Sequence, residues 1–182
     1  MSACGVSQDN DQATTTSPAA AEETINPWDL PIEQRPALFD PCAEIPIEAV
    51  EQGVGGPVEP SEQLHNHRPG ELFSCGWKND EVLFGVVGTW KSKKEFLADS
   101  EFVDLNPGAE AAGRPSLRAS DRGDQTSSTC YEIFFTARGA IVVSADLIDS
   151  LSSFRGAQFS RACDVLEEVI NPIVNYLPVG DF

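Results

Sequence analysis

Apolar density and alternation are greatest over residues 130–147, CYEIFFTARGAIVVSADL, where Tyr131, Ile133 and Phe135 interleave with Glu132, Phe134 and Thr136. The pattern predicts a β-hairpin: Ala137-Arg138-Gly139 puts glycine where a three-residue loop needs a left-handed residue, and the apolar run 141–145 returns as the second strand. Both strands are too apolar to leave both faces wet, so a helix must cover one of them. The candidate helix lies just downstream, over 158–177. There Cys163, Leu166, Ile170, Ile173 and Leu177 recur at steps of three and four as one apolar stripe, with Asp164, Glu167, Glu168 and Asn171 off it. Pro172 lacks a backbone donor and clashes with the preceding turn, so it kinks this helix or begins a second one, and Pro178 stops it.

Upstream, 72–77 (LFSCGW) and 82–90 (VLFGVVGTW) read as a second antiparallel hairpin across the turn residues Lys78, Asn79 and Asp80. Gly85 and Gly88 in its second strand predict a bulge or a close approach by another backbone. Ser92 caps a short helix over 93–99 that turns Phe96 and Leu97 inwards. Another short helix spans 45–52, with Pro46 in its first turn and Val54-Gly55-Gly56-Pro57 ending it. Four prolines and Trp28 make 24–42 an extended lead-in lying over the domain, and 57–70 a polar loop follows the second of these helices. Residues 104–128 are rich in Gly, Pro, Asp and Ser, with one short strand expected at 115–119 and a loop at 121–128. The fold class is therefore α+β: an antiparallel sheet of two main hairpins with helices packed on it.

Residues 5–23 contain no aromatic side chain and cannot bury enough apolar surface to offset their ordering entropy. A coil of about nineteen residues has a root-mean-square reach of roughly 25 Å, enough to stand a domain off a membrane. The chain divides accordingly into an N-terminal tether, 1–25, and a single domain, 26–182. No segment is long and apolar enough to span a bilayer.

Charge narrows the partners. With 29 acidic against 12 basic residues, the formal charge of -17 argues against nucleic acid and anionic lipid headgroups, and is read as a solubility device. Five cysteines leave one over. Cys42, Cys75, Cys130 and Cys163 lack the close spacing of zinc or thioredoxin-like motifs, and two structural disulfides in an oxidising, extracytoplasmic compartment are the natural reading. Three pairings are open, and spacing does not choose among them. Cys4 stands apart, behind Ser2 and Ala3, small residues of the kind a bacterial lipoprotein signal leaves at its cleavage point. The hydrophobic part of such a signal is expected to be missing from this sequence.

Four landmarks now coincide: Ser2-Ala3-Cys4 with a polar tether, Asp40-Pro41-Cys42 before a short helix, Cys75-Gly76-Trp77 opening a strand, and Cys130 with Cys163 bracketing a hairpin and a C-terminal helix that ends in Leu177-Pro178. Together they resemble the DUF3558 family of actinobacterial envelope lipoproteins, of mycobacterial, nocardial and corynebacterial type. The resemblance implies a secreted protein held at the cell membrane only by a lipid, palmitate among its acyl chains, on Cys4. It also implies a Mog1/PsbP-like α/β sandwich, and pairing of neighbours in order, Cys42 with Cys75 and Cys130 with Cys163.

Other constellations reduce to simpler readings. His65-Asn66-His67, near Glu62 and Arg68, offers half of a metal site, since imidazoles two apart on an extended segment point the same way. With no third ligand indicated, an exposed polar loop is the better reading, and no metal, cofactor or catalytic residue is assigned. Gly53-Val54-Gly55-Gly56 and Gly85-Val86-Val87-Gly88 lack the context of a phosphate loop. Trp77, Trp90 and Phe134 admit two readings, a wall of an apolar ligand pocket or plain core. The expectation is a monomeric, non-enzymatic lipoprotein binding an envelope lipid or a protein partner. The alternatives are a carrier with an internal pocket and, with less support, a hydrolase built on His65 or His67.

Overall fold

Eight strands form one antiparallel sheet in the computed structural model, which describes residues 1, 25–148, 153–158 and 161–182. They are β1 (Glu59–Pro60), β2 (Asn66–Arg68), β3 (Leu72–Lys78), β4 (Val82–Thr89), β5 (Phe102–Ala111), β6 (Arg114–Asp121), β7 (Thr129–Thr136) and β8 (Gly139–Leu147). Their spatial order is β1-β3-β4-β8-β7-β6-β5, with β2 also on the outer edge of β3. A separate small hairpin joins β9 (Ser153–Phe154) to β10 (Ala157–Gln158). The helices are α1 (Pro41–Glu44), α2 (Ile47–Val54), α3 (Lys93–Ala98) and α4 (Ala162–Val169). The fold is α+β. Residues 2–24 of the expected tether, Cys4 among them, lie outside the described residues.

Both predicted hairpins are present and are joined to each other. β4 pairs with β8 without interruption from Val82 opposite Leu147 to Thr89 opposite Ala140. The β7–β8 loop is one residue tighter than expected, because Thr136 faces Gly139 across Ala137 and Arg138 alone. Gly139 has φ 103°, and a Cβ there would meet the Thr89 carbonyl oxygen at 2.7 Å. Gly88 marks a close approach rather than a bulge: the register is unbroken on both sides of β4, and a Cβ would lie 2.4 Å from the Phe39 carbonyl oxygen.

Residues 102–121 depart most from expectation. The stretch holds a long hairpin, β5 with β6, turning at Ala112 and Gly113, both with positive φ. β5 is the edge strand. It carries Pro107, a positive φ at Asp104 and two register shifts, devices that let an irregular sequence pair on one side while blocking the other. The C-terminal helix is also shorter than its stripe: α4 ends at Val169, and a turn through Pro172 leads to a 3-10 turn at Val174–Tyr176. Leu166, Ile170 and Ile173 are nevertheless fully buried, so the stripe survives the break. In α3 the capping box on Ser92 is complete, but only Phe96 turns inwards and Leu97 is exposed.

The core lies on both faces of the sheet, as the period of two requires. One face, with Phe84, Val86, Phe134, Ile141 and Val143, packs against Val50 of α2 and against Val165, Leu166 and Val169 of α4. On the other, Leu117, Ile133, Phe135 and Val142 are covered by Phe96, Phe102 and Trp28. The lead-in does lie over the domain: the Trp28 indole donates to the Thr136 carbonyl at 3.0 Å. Arg138 in the hairpin loop chelates Glu44 through two nitrogens and also donates to the Leu38 carbonyl.

Candidate functional site

Three chain segments converge on Cys42, Cys75 and His65. The Asp40 carboxylate accepts from the backbone N–H of Cys42 and of Ala43, and with Pro41 in the first turn it starts α1 and presents Cys42 at the surface. Cys75 lies in the middle of β3 on the helix-covered face, in the same layer as Trp77. His65 follows a 3-10 turn at Glu62–Leu64 that is strapped to β3 at both ends. Ser61 N–H donates to the Gly76 carbonyl at 2.8 Å, and the Ser74 hydroxyl donates to the Leu64 carbonyl.

Cys42 and Cys75 are joined by a disulfide with Cα atoms 5.3 Å apart. His65 Nδ1 stands 3.6 Å from Cys42 Sγ, and the ligand atoms of Cys42, His65 and Cys75 all lie within 4.8 Å of one another. Cys42 and His65 are exposed, while Cys75 is buried. His67 does not join this group. It pairs opposite Phe73, and its ring packs on the Phe73 ring at 4.2 Å. The two histidines therefore do not form the half-site their spacing offered, and the atoms beside His65 are sulfurs from residues distant in the chain.

The second disulfide is of another kind. Cys130, fully buried in β7, is bonded to half-buried Cys163 of α4, so it ties the sheet to the helix that covers it. One step along the same strand face, Glu132 is buried and accepts from the Ser116 hydroxyl at 2.6 Å and from Arg118, which also reaches Glu167 at 2.6 Å. Composition gave no hint of this ionic cluster; the one available signal was a single glutamate in the most apolar strand.

Trp77, Trp90 and Phe134 do not share a wall. Trp77 stacks on Phe84 at 6.1 Å on the helix side, in the same cluster as Phe134. Trp90, beyond the end of β4, packs edge-on to Trp28 at 5.0 Å with the Arg35 guanidinium over it, next to the opposite core. All three are buried. A groove of about 740 Å³ beside β1 is open and lined by Glu59, Glu62, Lys78, Leu83 and Asp146 among others, so it is a polar surface feature rather than an apolar cavity.

Residues 1–176 match the sequence model of a family described as "Protein of unknown function (DUF3558)". The chain belongs to the DUF3558 family. No curated protein and no solved structure matches it. The DUF3558 match spans both disulfides, His65 and Glu132, and also Cys4, which lies outside the described residues. Among the described residues of this DUF3558 chain, no helix is long and apolar enough to cross a membrane.

Proposed function

We propose that this DUF3558 chain is an extracytoplasmic lipoprotein of actinobacterial envelope type, held at the membrane through a lipid on Cys4, which binds an envelope ligand or a partner protein on its outer surface and catalyses nothing. The observation that carries the surface-binding part is the filled layer between sheet and helices. Phe39, Phe84, Phe134, Phe154, Leu166 and Ile170 there are all fully buried against one another's cluster. A carrier would need that layer opened around the aromatics, and two of the three residues nominated for its wall sit in this packed layer while the third lies elsewhere. Two disulfides within one small domain favour an oxidising compartment, which supports the extracytoplasmic placement.

The chain fused behind a lipoprotein signal and expressed in an actinobacterial host tests both parts. The expected result is partition with membranes, acyl chains recovered on the peptide containing Cys4, and release to the soluble fraction in Cys4→Ala. Tryptophan emission of the purified protein is expected to be the same before and after lipid extraction. Soluble wild-type protein would overturn the anchor. A co-purifying lipid whose removal shifts the emission would replace surface binding with the carrier reading.

A further inference from the structure

We propose that Cys42, His65 and Cys75 form a reducible metal site: closed as the disulfide, and able in its dithiol state to bind one Zn²⁺-class thiophilic ion. Nothing in the surface-binding function requires this, and it stands on the geometry of the three side chains. Zinc bonds of about 2.3 Å to sulfur and about 2.0–2.1 Å to nitrogen, at the tetrahedral angle, set a sulfur ligand and a nitrogen ligand about 3.6 Å apart. Cys42 Sγ and His65 Nδ1 already stand 3.6 Å apart. Cys75 completes a group whose ligand atoms all lie within 4.8 Å of one another.

The three ligands come from three differently held segments, so the arrangement does not depend on one loop. Cys42 is set by the Asp40 cap, His65 by the strapped 3-10 turn and Cys75 by the β3 ladder. Each holding element is independent of the S–S bond itself. Cys42 and His65 face solvent, so both a reductant and an ion have access, and water can take the fourth coordination position. The Cys130–Cys163 bond is the more enclosed, with Cys130 fully buried and Cys163 half-buried, and no histidine stands beside it among the described residues. Only one of the two disulfides is built to be exchanged.

The chemistry balances with a dithiol as reductant. It gives two electrons and two protons to the Cys42–Cys75 bond and itself closes to a disulfide, leaving two protein thiols. Zinc then displaces both protons and is held by two thiolates and the His65 imidazole nitrogen. Oxidation of the two thiolates by a disulfide of higher potential reverses the sequence and expels the ion.

The test uses the full chain carrying Cys4→Ser, so that the thiols released by mild dithiol treatment are those of exposed Cys42 and its bonded partner Cys75. After anaerobic removal of the reductant, circular dichroism checks the fold, ZnCl₂ is titrated against a chromophoric chelator, and the thiols are mapped by alkylation. The expected outcome is one zinc per chain, protection of Cys42 and Cys75 from alkylation, and an affinity lowered by about 10–100-fold or more in His65→Ala. His67→Ala is expected to leave the affinity unchanged. Cobalt(II) in place of zinc is expected to show a sulfur-to-metal charge-transfer band that His65→Ala weakens. Equal zinc affinity in His65→Ala and its parent would overturn the site, as would binding that survives Cys42→Ser/Cys75→Ser. Loss of the fold on reduction would overturn it as well.

Discussion

The Glu132 carboxylate, 1% exposed in the middle of β7, is held from the neighbouring strand by the guanidinium of Arg118. Burial works against the Arg118 charge, but its bonds to Glu132 and Glu167 outweigh that and hold the guanidinium more firmly protonated. A buried ion pair adds little over a well-packed apolar pair, yet removing one partner strands the other charge. Arg118→Met is therefore expected to cost about 3 kcal/mol in denaturant unfolding. Arg118→Met/Glu132→Leu is expected to recover much of that loss. Equal losses in the two variants would mean that the cluster contributes packing alone.

The two disulfides span equal sequence separations of 33 residues. The chain-entropy model assigns each roughly 3 to 4 kcal/mol, so any difference between them reports on the folded state. Cys130→Ala/Cys163→Ala, which releases α4 from the sheet and leaves a void in the core, is expected to destabilise more than Cys42→Ala/Cys75→Ala. Peptide mapping without reduction is expected to recover the 42–75 and 130–163 links. A linked peptide joining Cys75 to Cys130 would contradict the pairing.

The β3–β4 and β7–β8 hairpins were legible because their apolar residues alternate strongly and are bounded by turn residues. The hairpin of β5 and β6 was not. Asp104, Asn106, Pro107 and Gly108 read as loop, and they are tolerated in a strand only because β5 lies on the sheet's edge, where its outer groups need no partner. Edge position is a property of topology and leaves no mark on local periodicity. His65 is a similar case. Its neighbours Cys42 and Cys75 are remote in sequence, and they meet it only because β2 folds back on β3 and α1 docks over that strand. The apolar stripe from Cys163 to Leu177 predicts the buried face, and Pro172 predicts its interruption; what the spacing does not give is where α4 stops, at Val169, since burial follows spacing while helix length follows the missing donor at Pro172.

Gly88 separates packing from backbone freedom. Its Cβ position is blocked by the backbone carbonyl of Phe39, an atom that cannot rotate away. Gly88→Ala is expected to cost about 1–3 kcal/mol, the usual penalty of overpacking, and to loosen the lead-in over the sheet. Gly56→Ala and Gly123→Ala, where nothing lies near the added methyl group, are the controls and are expected to remain near wild type in thermal unfolding. A Gly88→Ala chain as stable as these controls would show that the lead-in gives way freely.

Acid should release the β6–β7 loop through Asp124. Partial burial pushes this carboxyl group up, but the donors that converge on it prevail. Thr129 N–H lies 2.8 Å and Thr126 N–H 2.9 Å from its oxygens, and together with the Ser128 contribution they hold the group well below its ordinary value of 3.8. A carboxyl group depressed in the folded state stabilises it fully above the unfolded value, and that contribution is lost as the pH falls towards the folded one. The stability difference between wild type and Asp124→Ala is therefore expected to be flat, about 2 kcal/mol, above roughly pH 5, as for hydrogen bonds to a charged group. Below about pH 4 it should shrink steadily, because the wild type alone loses these bonds to protonation. Urea unfolding of both proteins between pH 2 and 7 measures this, with hydrogen exchange at Thr126 and Thr129 reporting locally. A difference that stays constant through the acid range would mean that the loop is held by contacts other than the Asp124 carboxylate.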